Sequence, residues 1–385
     1  MEKKNKMNPI PVNTPLLNGN ELKYLTACIE TGWISSEGPF ITQFEQQFSQ
    51  YIGCAHGVAV SNGSAALDIA VKALNIGPGD EVIMPAFTII SPAQSVVTAG
   101  ALPVLVDSDP LTWNMDVAQI EAKITPRTKA ILIVHIYGLP VDVDPILSLA
   151  KKYNLKVIED AAEMHGQTYK NKMCGSFGNI SIFSFYPNKH ITTGEGGMLL
   201  TNDEELANRC KKLRNLCFEP DGPRFVHHEI GWNYRMTNLQ AALGLAQLEQ
   251  IDGFIEKKRK MASFYQNGLS FLKIRGYQLP KEKDDNSENI YWVFGLVPPS
   301  LAEKEKIVAY LTENKIGTRP FFWCMHEQPV FQNMGLFKNE SYPVAEKLAR
   351  NGFYLPSGLG TTNQQQEEVI NSLRQYHSAN PIHLT

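Results

Sequence analysis

No stretch of about 18 consecutive apolar residues occurs in the 385-residue chain, so no membrane-spanning helix is expected. Neither sign of charge dominates. Lys plus Arg number 36 and Asp plus Glu 39, a formal net charge of −3, which excludes the basic face of a nucleic-acid or anionic-membrane binder. Any anion must therefore be held locally. The six cysteines (Cys28, Cys54, Cys174, Cys210, Cys217, Cys324) are scattered, with no C-x-x-C and no Cys/His spacing suited to zinc, so no metal is expected and the thiols read as reduced and structural. The start, MEKKNKMNPIPVN, runs into Asn and Pro without the apolar stretch of a signal peptide, and a cytoplasmic location is expected. There is no internal repeat, low-complexity tract or long linker.

What is present is an ordinary globular composition, 43% hydrophobic, 10% aromatic and 19% charged. The length exceeds the roughly 100–200 residues of one compact domain, so two lobes sharing a site are expected. From about residue 20 to 245, β-rich runs alternate with helical patterns, which implies strands joined through helices into a mostly parallel sheet. The strand candidates are EVIMPA (81–86), LPVLVD (102–107), AILIVHIYG (130–138), LKVIED (155–160), ISIFSF (180–185) and GGMLLTND (196–203). Several are apolar on both alternations, as strands buried on two faces should be. Phe40, Phe44, Phe48 and Ile52, and likewise Leu67, Val71 and Leu74, mark single helix faces and read as core. A long helix is expected from about 238 to 266, bridging a large lobe (1–245) and a smaller α+β lobe (246–385). Its basic run EKKRK (256–260) reads as a solvated face. In the smaller lobe the sequence predicts a strand over 289–297 and helices near 304–313, 344–350 and 365–376.

The chemistry concentrates in FSFYPNKHITTGEGGMLLTND (183–203), where a strand delivers Lys189 into a Thr/Gly-rich turn that leads to the next strand. A lysine is ordinarily a solvated surface charge, but an aromatic strand on one side and Gly194, Gly196 and Gly197 on the other favour a tight, partly buried site. Burial lowers the pKa of an ammonium and makes it a nucleophile and proton carrier, as Schiff-base chemistry requires. Two companions are needed, an acid for a ring nitrogen and an anion site for a phosphate. Asp160, ending LKVIED, suits the first and equally suits a helix N-cap. Ser61, Asn62, Gly63 and Ser64 stand immediately before an amphipathic helix, where free amides bind anions or a plain cap forms.

Together these segments resemble the DegT/StrS family of sugar aminotransferases over essentially the whole chain. The matching stretches are TGWISSEGPFITQFE (31–45), SNGSAAL (61–67), GPGDEVIMP (77–85), VIEDAAE (157–163), FSFYPNKHITTGEGGM (183–198), GWNYRMTNLQAALGLAQLE (231–249) and TRPFFWCMH (318–326). The resemblance implies an α/β fold of the fold-type I pyridoxal-phosphate-dependent transferases, with a mostly parallel seven-stranded sheet in the cofactor-binding large lobe. It implies that Lys189 holds pyridoxal 5'-phosphate as a Schiff base, that Asp160 pairs with the pyridine nitrogen and that Glu163 lies near the ring hydroxyl. It places Gly63, Ser64 and Ser184 on the phosphate, with Asn233 reaching that phosphate from a neighbouring subunit of a homodimer, or of a higher homo-oligomer, with shared sites. At one position the chain departs from the pattern: Ile89 stands where members carry an aromatic stacked on the cofactor ring, with Phe87 two residues earlier.

Within the family, the segments are most similar to members that aminate C4 of GDP-4-keto-6-deoxymannose with glutamate as donor, giving GDP-perosamine. On that footing Arg319 and His326 would contact the sugar or diphosphate, Arg by its planar fork. The alternatives are an aminotransferase for a dTDP- or UDP-linked 3- or 4-keto sugar, a sugar 3-dehydratase that carries His in place of the lysine, and a non-catalytic regulatory member. Lys189, with His190 after it, argues for transamination, since a histidine cannot form the Schiff base.

Overall fold

A helix is dictated wherever the apolar residues repeat at four-residue spacing and a cap closes the ends. In α2 (Pro39–Ile52), Pro39 occupies the first turn, Phe44, Phe48 and Ile52 are buried, and Gly53 ends the helix at φ 84°. Burial of each such side chain contributes about 1.5–3 kcal/mol. The computed structural model describes residues 8–219 and 222–380. Before α2 comes α1 (Glu21–Thr31), and after it β1 (His56–Val60), α3 (Gly63–Ala73), β2 (Glu81–Pro85), α4 (Ser91–Thr98), β3 (Leu102–Val106), β4 (Thr128–Val134), α5 (Val143–Tyr153) and β5 (Lys156–Asp160). A short ribbon, β6 (Thr168–Tyr169) with β7 (Lys172–Met173), precedes β8 (Ile180–Ser184), β9 (Gly197–Thr201), α6 (Glu204–Leu213), α7 (Asn238–Leu248) and α8 (Ile251–Gly268).

The seven-stranded sheet runs β1-β9-β8-β5-β4-β2-β3, parallel at every pairing except the two made by β9. This is the expected architecture. The strands alternate between two cores: Val82, Met84, Leu132, Ile158 and Ile182 face one, with α3, α4 and α6, while Ile83, Ile133, Val157 and Phe183 face the other, with α2, α5 and α7. β1 was absent from the strands read in the sequence because HGVAV carries too little bulk to stand out.

The C-terminal part adds β10 (Phe294–Leu296), α9 (Leu301–Glu313), β11 (Arg319–Pro320), α10 (Pro329–Asn333), α11 (Pro343–Asn351), β12 (Phe353–Leu355) and α12 (Asn363–Ala379); β10, α9, β12 and α12 build a third core with α8, while α10 and α11 pack into the first. Its sheet is antiparallel, in the order β10-β12-β11. Two expectations need correction. The strand read over 289–297 shrinks to β10, because Tyr291 takes φ 51° and its N–H is captured by the Asn289 side chain at 2.6 Å. The single helix over 238–266 is two helices, α7 and α8, broken at Glu249–Gln250 where α1 docks: Gln247 and Gln250 bond to Glu21, and Glu249 accepts from Asn20 and Tyr24. Residues 10–14 cross to the C-terminal lobe, where Ile10 bonds to Lys315 and Gly317, Val12 to Ser357 and Thr14 to Gly360. No helix among the described residues is long and apolar enough to cross a membrane.

Candidate active site

In an open parallel sheet, side chains gather at the carboxyl ends of the strands. β5 ends at Asp160, with Glu163 three residues on. β8 ends at Ser184, and the chain then turns, the Lys189 N–H bonding to the Tyr186 carbonyl at 2.9 Å, before returning as β9. Lys189 Nζ lies 3.7 Å from Glu163 Oε1 and 3.7 Å from the centre of the Trp292 ring, with little of the side chain exposed. Burial lowers the Lys189 pKa, and the Glu163 and Asp160 carboxylates oppose that shift. Glu163 is fixed by the Tyr137 N–H, 2.7 Å from Oε2, and burial pushes its pKa up to about 7. Asp160 is only 3% exposed, yet among the described residues its side chain has a single hydrogen bond, from the Ala162 N–H at 3.1 Å, and burial raises its pKa to about 6.

A second cluster faces the start of α3. Asn62 caps this helix by accepting from the Ala65 N–H at 2.8 Å, and no protein acceptor among the described residues meets the N–H of Gly63 or Ser64. Gly63 packs so closely on β8 that a Cβ there would stand 2.9 Å from the Ser184 Cβ, and a Cβ on Gly197 would stand 2.5 Å from the Asn62 carbonyl oxygen. The close approach requires glycine at both positions. The Ser64 and Ser91 hydroxyls bond at 2.7 Å, which ties the loop carrying Ile89 to this helix start.

A lysine set against two buried carboxyl groups, with an amide-lined helix start alongside, is the arrangement of an enzyme whose cofactor carries an aldehyde and a phosphate. The model of the DegT/DnrJ/EryC1/StrS aminotransferase family matches residues 15–374. The chain belongs to this family. Similar relatives of this aminotransferase include the GDP-perosamine synthase of Escherichia coli O157:H7, 43% identical over 97% of this chain and 100% of that protein. The GDP-perosamine synthase of Caulobacter vibrioides is also 43% identical, over 95% of this chain and 98% of that one. Among solved structures, the aminotransferase TlmJ from Streptoalloteichus hindustanus superposes with a TM-score of 0.89 at 27% identity, covering 96% of this chain and 99% of that one.

The family's cofactor is pyridoxal 5'-phosphate, and the residues present fit it. Asp160 has an acceptor oxygen to spare for a protonated ring nitrogen, and the two unpartnered amides at the start of α3 suit a phosphate.

The structure brings Lys189, Asp160 and Glu163 into one cluster and Gly63, Ser64 and Ser184 into another. Asn233 is exposed, on a segment bridged to Asn215 whose next residue, Tyr234, accepts the Ser61 N–H at 2.8 Å, and its side chain makes no hydrogen bond to the described residues. Arg319, also exposed, is paired across β11 and β12 with Tyr354, whose ring lies 6.5 Å from Tyr137. It thus borders the lysine cluster. His326 does not: its Nε2 bonds to Glu346 at 3.1 Å and its ring packs edge-on to Tyr342, both in the C-terminal lobe. Phe87 is fully buried among Tyr137, Phe321 and Phe322, whereas Ile89 is 46% exposed.

Three participants escaped the sequence reading. Trp292 covers the lysine and donates from Nε1 to the Asn188 carbonyl at 2.8 Å. Tyr137, at φ 59°, orients Glu163 through its N–H and accepts the Phe322 N–H at 3.1 Å. His165 accepts the Ile191 N–H on Nδ1 at 3.1 Å, two residues past the lysine. The VIEDAAEMHG stretch held the signal for His165. Nothing local marks Trp292, because its partner is about 100 residues away.

Proposed function

We propose that this aminotransferase moves the amino group of glutamate to C4 of a nucleotide-linked 4-keto-6-deoxy sugar, GDP-4-keto-6-deoxymannose, giving GDP-perosamine and 2-oxoglutarate. Two relatives named for that product, each 43% identical over nearly their whole length, support the substrate. The observation that carries the chemistry is the Lys189 amine lodged between Glu163 and the Trp292 ring, with Asp160 on the adjoining strand.

Pyridoxal phosphate, when bound, supplies an aldehyde for the donor amine and an electron sink for the carbanion. The protein's part is to place proton carriers. Lys189 Nζ, its pKa lowered by burial, accepts the proton from the donor's α-carbon and in the second half-reaction returns one to sugar C4. Asp160 holds the ring nitrogen protonated, and the amides of Gly63 and Ser64 with the Ser184 hydroxyl hold the phosphate. Trp292, Tyr137 and Phe322 exclude water from one side of the amine. Arg319 at the rim is the candidate for the diphosphate; His326 is instead assigned to packing within the C-terminal lobe.

The dehydratase reading requires a histidine in the lysine's place. His190 is buried with its Nε2 toward the Ile290 carbonyl, 3.3 Å away, while Lys189 meets Glu163. A homodimer is part of the proposal: α1, the residues just after it and the loop around residue 230 expose Leu22, Ile29, Trp33, Phe225 and Ile230, and Asn233 on the same stretch of chain offers an amide that bonds to none of the described residues. A cytoplasmic location accords with six buried, unpaired cysteines.

Incubation with glutamate and GDP-, dTDP- or UDP-linked 4-keto sugars, following 2-oxoglutarate against amino sugar, tests the reading. A one-to-one yield with the GDP sugar is expected. Turnover of only a dTDP or UDP sugar overturns the substrate, and a deoxygenated product without matching 2-oxoglutarate overturns transamination.

A further inference from the structure

The basic run 256–260 reads as solvent-facing, and Glu256 and Lys260 do form an exposed pair. Lys258 does not follow them. It is 3% exposed, and no carboxylate among the described residues pairs with it. Its ammonium instead donates to the Trp292 carbonyl at 2.9 Å and to the Ser357 carbonyl. Burying an ammonium without a counter-ion costs several kcal/mol even where hydrogen bonds replace water, so a position that only needed packing would be better served by an apolar side chain. Burial alone brings the Lys258 pKa down to about 7.

What this lysine grips is the segment that covers the reacting amine. Trp292 precedes β10 without belonging to it, and Tyr291 beside it holds φ 51°, so no sheet ladder fixes this backbone. Its neighbours are held by Asn289 on the Tyr291 N–H and by the Ser357 hydroxyl on the Phe294 N–H, but the hydrogen bonds of Trp292 itself, among the described residues, run from the indole nitrogen to the Asn188 carbonyl and from Lys258 to the peptide oxygen. The second carbonyl, Ser357, lies just beyond β12, so one ammonium ties α8 to both segments. Lys258 and Lys189 also line the same small cavity, with Asn188, His190 and Trp292 between them.

We propose that Lys258 is a positioning residue, which by holding the Trp292 peptide oxygen keeps the indole seated over Lys189 Nζ and so sets how open that amine is to attack. The inference rests on reading Lys189 as the reacting amine. It does not depend on which sugar is used.

The test measures the reactivity of Lys189 rather than turnover. Full-length protein freed of cofactor is treated with an amine-acylating reagent, and labelling at Lys189 is followed by peptide mass mapping against the exposed Lys129. In the cofactor-loaded protein, release by hydroxylamine is followed by visible absorbance. Lys258→Met and Trp292→Leu are each expected to speed both reactions at least fivefold. The double variant should be no faster than the faster single one, because both act through the same ring. Unchanged Lys189 labelling in Lys258→Met overturns the proposal, as do effects that multiply in the double variant, the mark of a general loosening between lobes. Should Lys258→Met fail to fold, Lys258→Gln, whose shorter side chain keeps an uncharged –NH2 donor group, is expected to give about a twofold acceleration, and no acceleration there overturns it equally. Loss of turnover with every sugar, with these reactivities as expected, would count against the substrate reading alone.

Discussion

Glu159 and Asp160 are neighbours on β5, and because side chains alternate across a strand they point into opposite sides of the sheet. Both are buried and both are acids, but their surroundings differ entirely. Glu159 is met by the N–H groups of Gly175, Phe177 and Gly178, by the Ser181 hydroxyl and by His135. Since His135 Nδ1 accepts the Val141 N–H, its proton sits on Nε2 and is donated to Glu159. Burial would raise the Glu159 pKa, but His135 and the amides outweigh it and leave the group below its ordinary value. Asp160 has one side-chain hydrogen bond among the described residues, and its pKa is held at about 6. A carboxylate whose lone pairs are all taken has finished its work when the chain has folded; one left under-bonded beside a lysine is poised for something the protein does not itself contain.

The widest break with this contrast comes from the lysine that Asp160 serves. Lys189→Ala should lower transamination by on the order of 10⁴-fold while leaving the circular dichroism spectrum intact. Substitutions of the two carboxylates should then part company. Asp160→Asn is expected to cost roughly 10²–10³-fold in turnover with no loss of melting temperature. Glu159→Ala strands three amides and an imidazole, and should cost about 3–5 kcal/mol in urea unfolding. If Glu159→Ala melted like the parent, or Asp160→Asn unfolded, the division of labour would be wrong.

Glu163 sharpens the contrast through pH. Its folded pKa of about 7 lies above the ordinary 4.5, so the folded state keeps a proton that the unfolded chain gives up. The stability it contributes is therefore whole below about 4.5 and is lost as pH rises through about 7. Glu163→Gln, which cannot ionise, should gain on the parent across that window by up to about 3 kcal/mol in the cofactor-free protein, then hold level above it. A stability difference flat from pH 4 to 8 would show that the carboxyl group is not perturbed. The smallest effect is expected at the half-exposed Ile89, on the loop that Ser91 ties to the start of α3: Ile89→Tyr should tighten cofactor binding by about 1 kcal/mol, measured by the dissociation constant, and an unchanged constant would show that no ring stacks from this position.

Much of this was legible before any coordinates. Six of the seven strands of the large sheet announced themselves as apolar runs, and Lys189, Asp160 and the Asn62–Ser64 turn could be named from local context, because each sits where a strand gives way to a tight turn. What stayed hidden was set by partners distant in sequence. Trp292 lies in an aromatic run that suits a strand just as well. Lys258 lies in a charged run that suits solvent, and its burial depends on two carbonyls supplied by residues 292 and 357. The partner of His326 was hidden for the same reason, since the glutamate that engages its Nε2 is 20 residues further on. The break between α7 and α8 follows from Glu21, more than 200 residues earlier.

The crossing made by residues 10–14 bears on the order in which the molecule can assemble. Their backbone partners at 315–317 and 357–360 leave the ribosome some 300 residues later, and the Asn13 amide then reaches the Pro187 carbonyl in the turn that carries Lys189. Residues 10–14 must wait for these distant partners before they can settle, and closing so long a loop is slow. Final tightening of the lysine turn is thereby tied to the arrival of chain well beyond every strand of the large sheet.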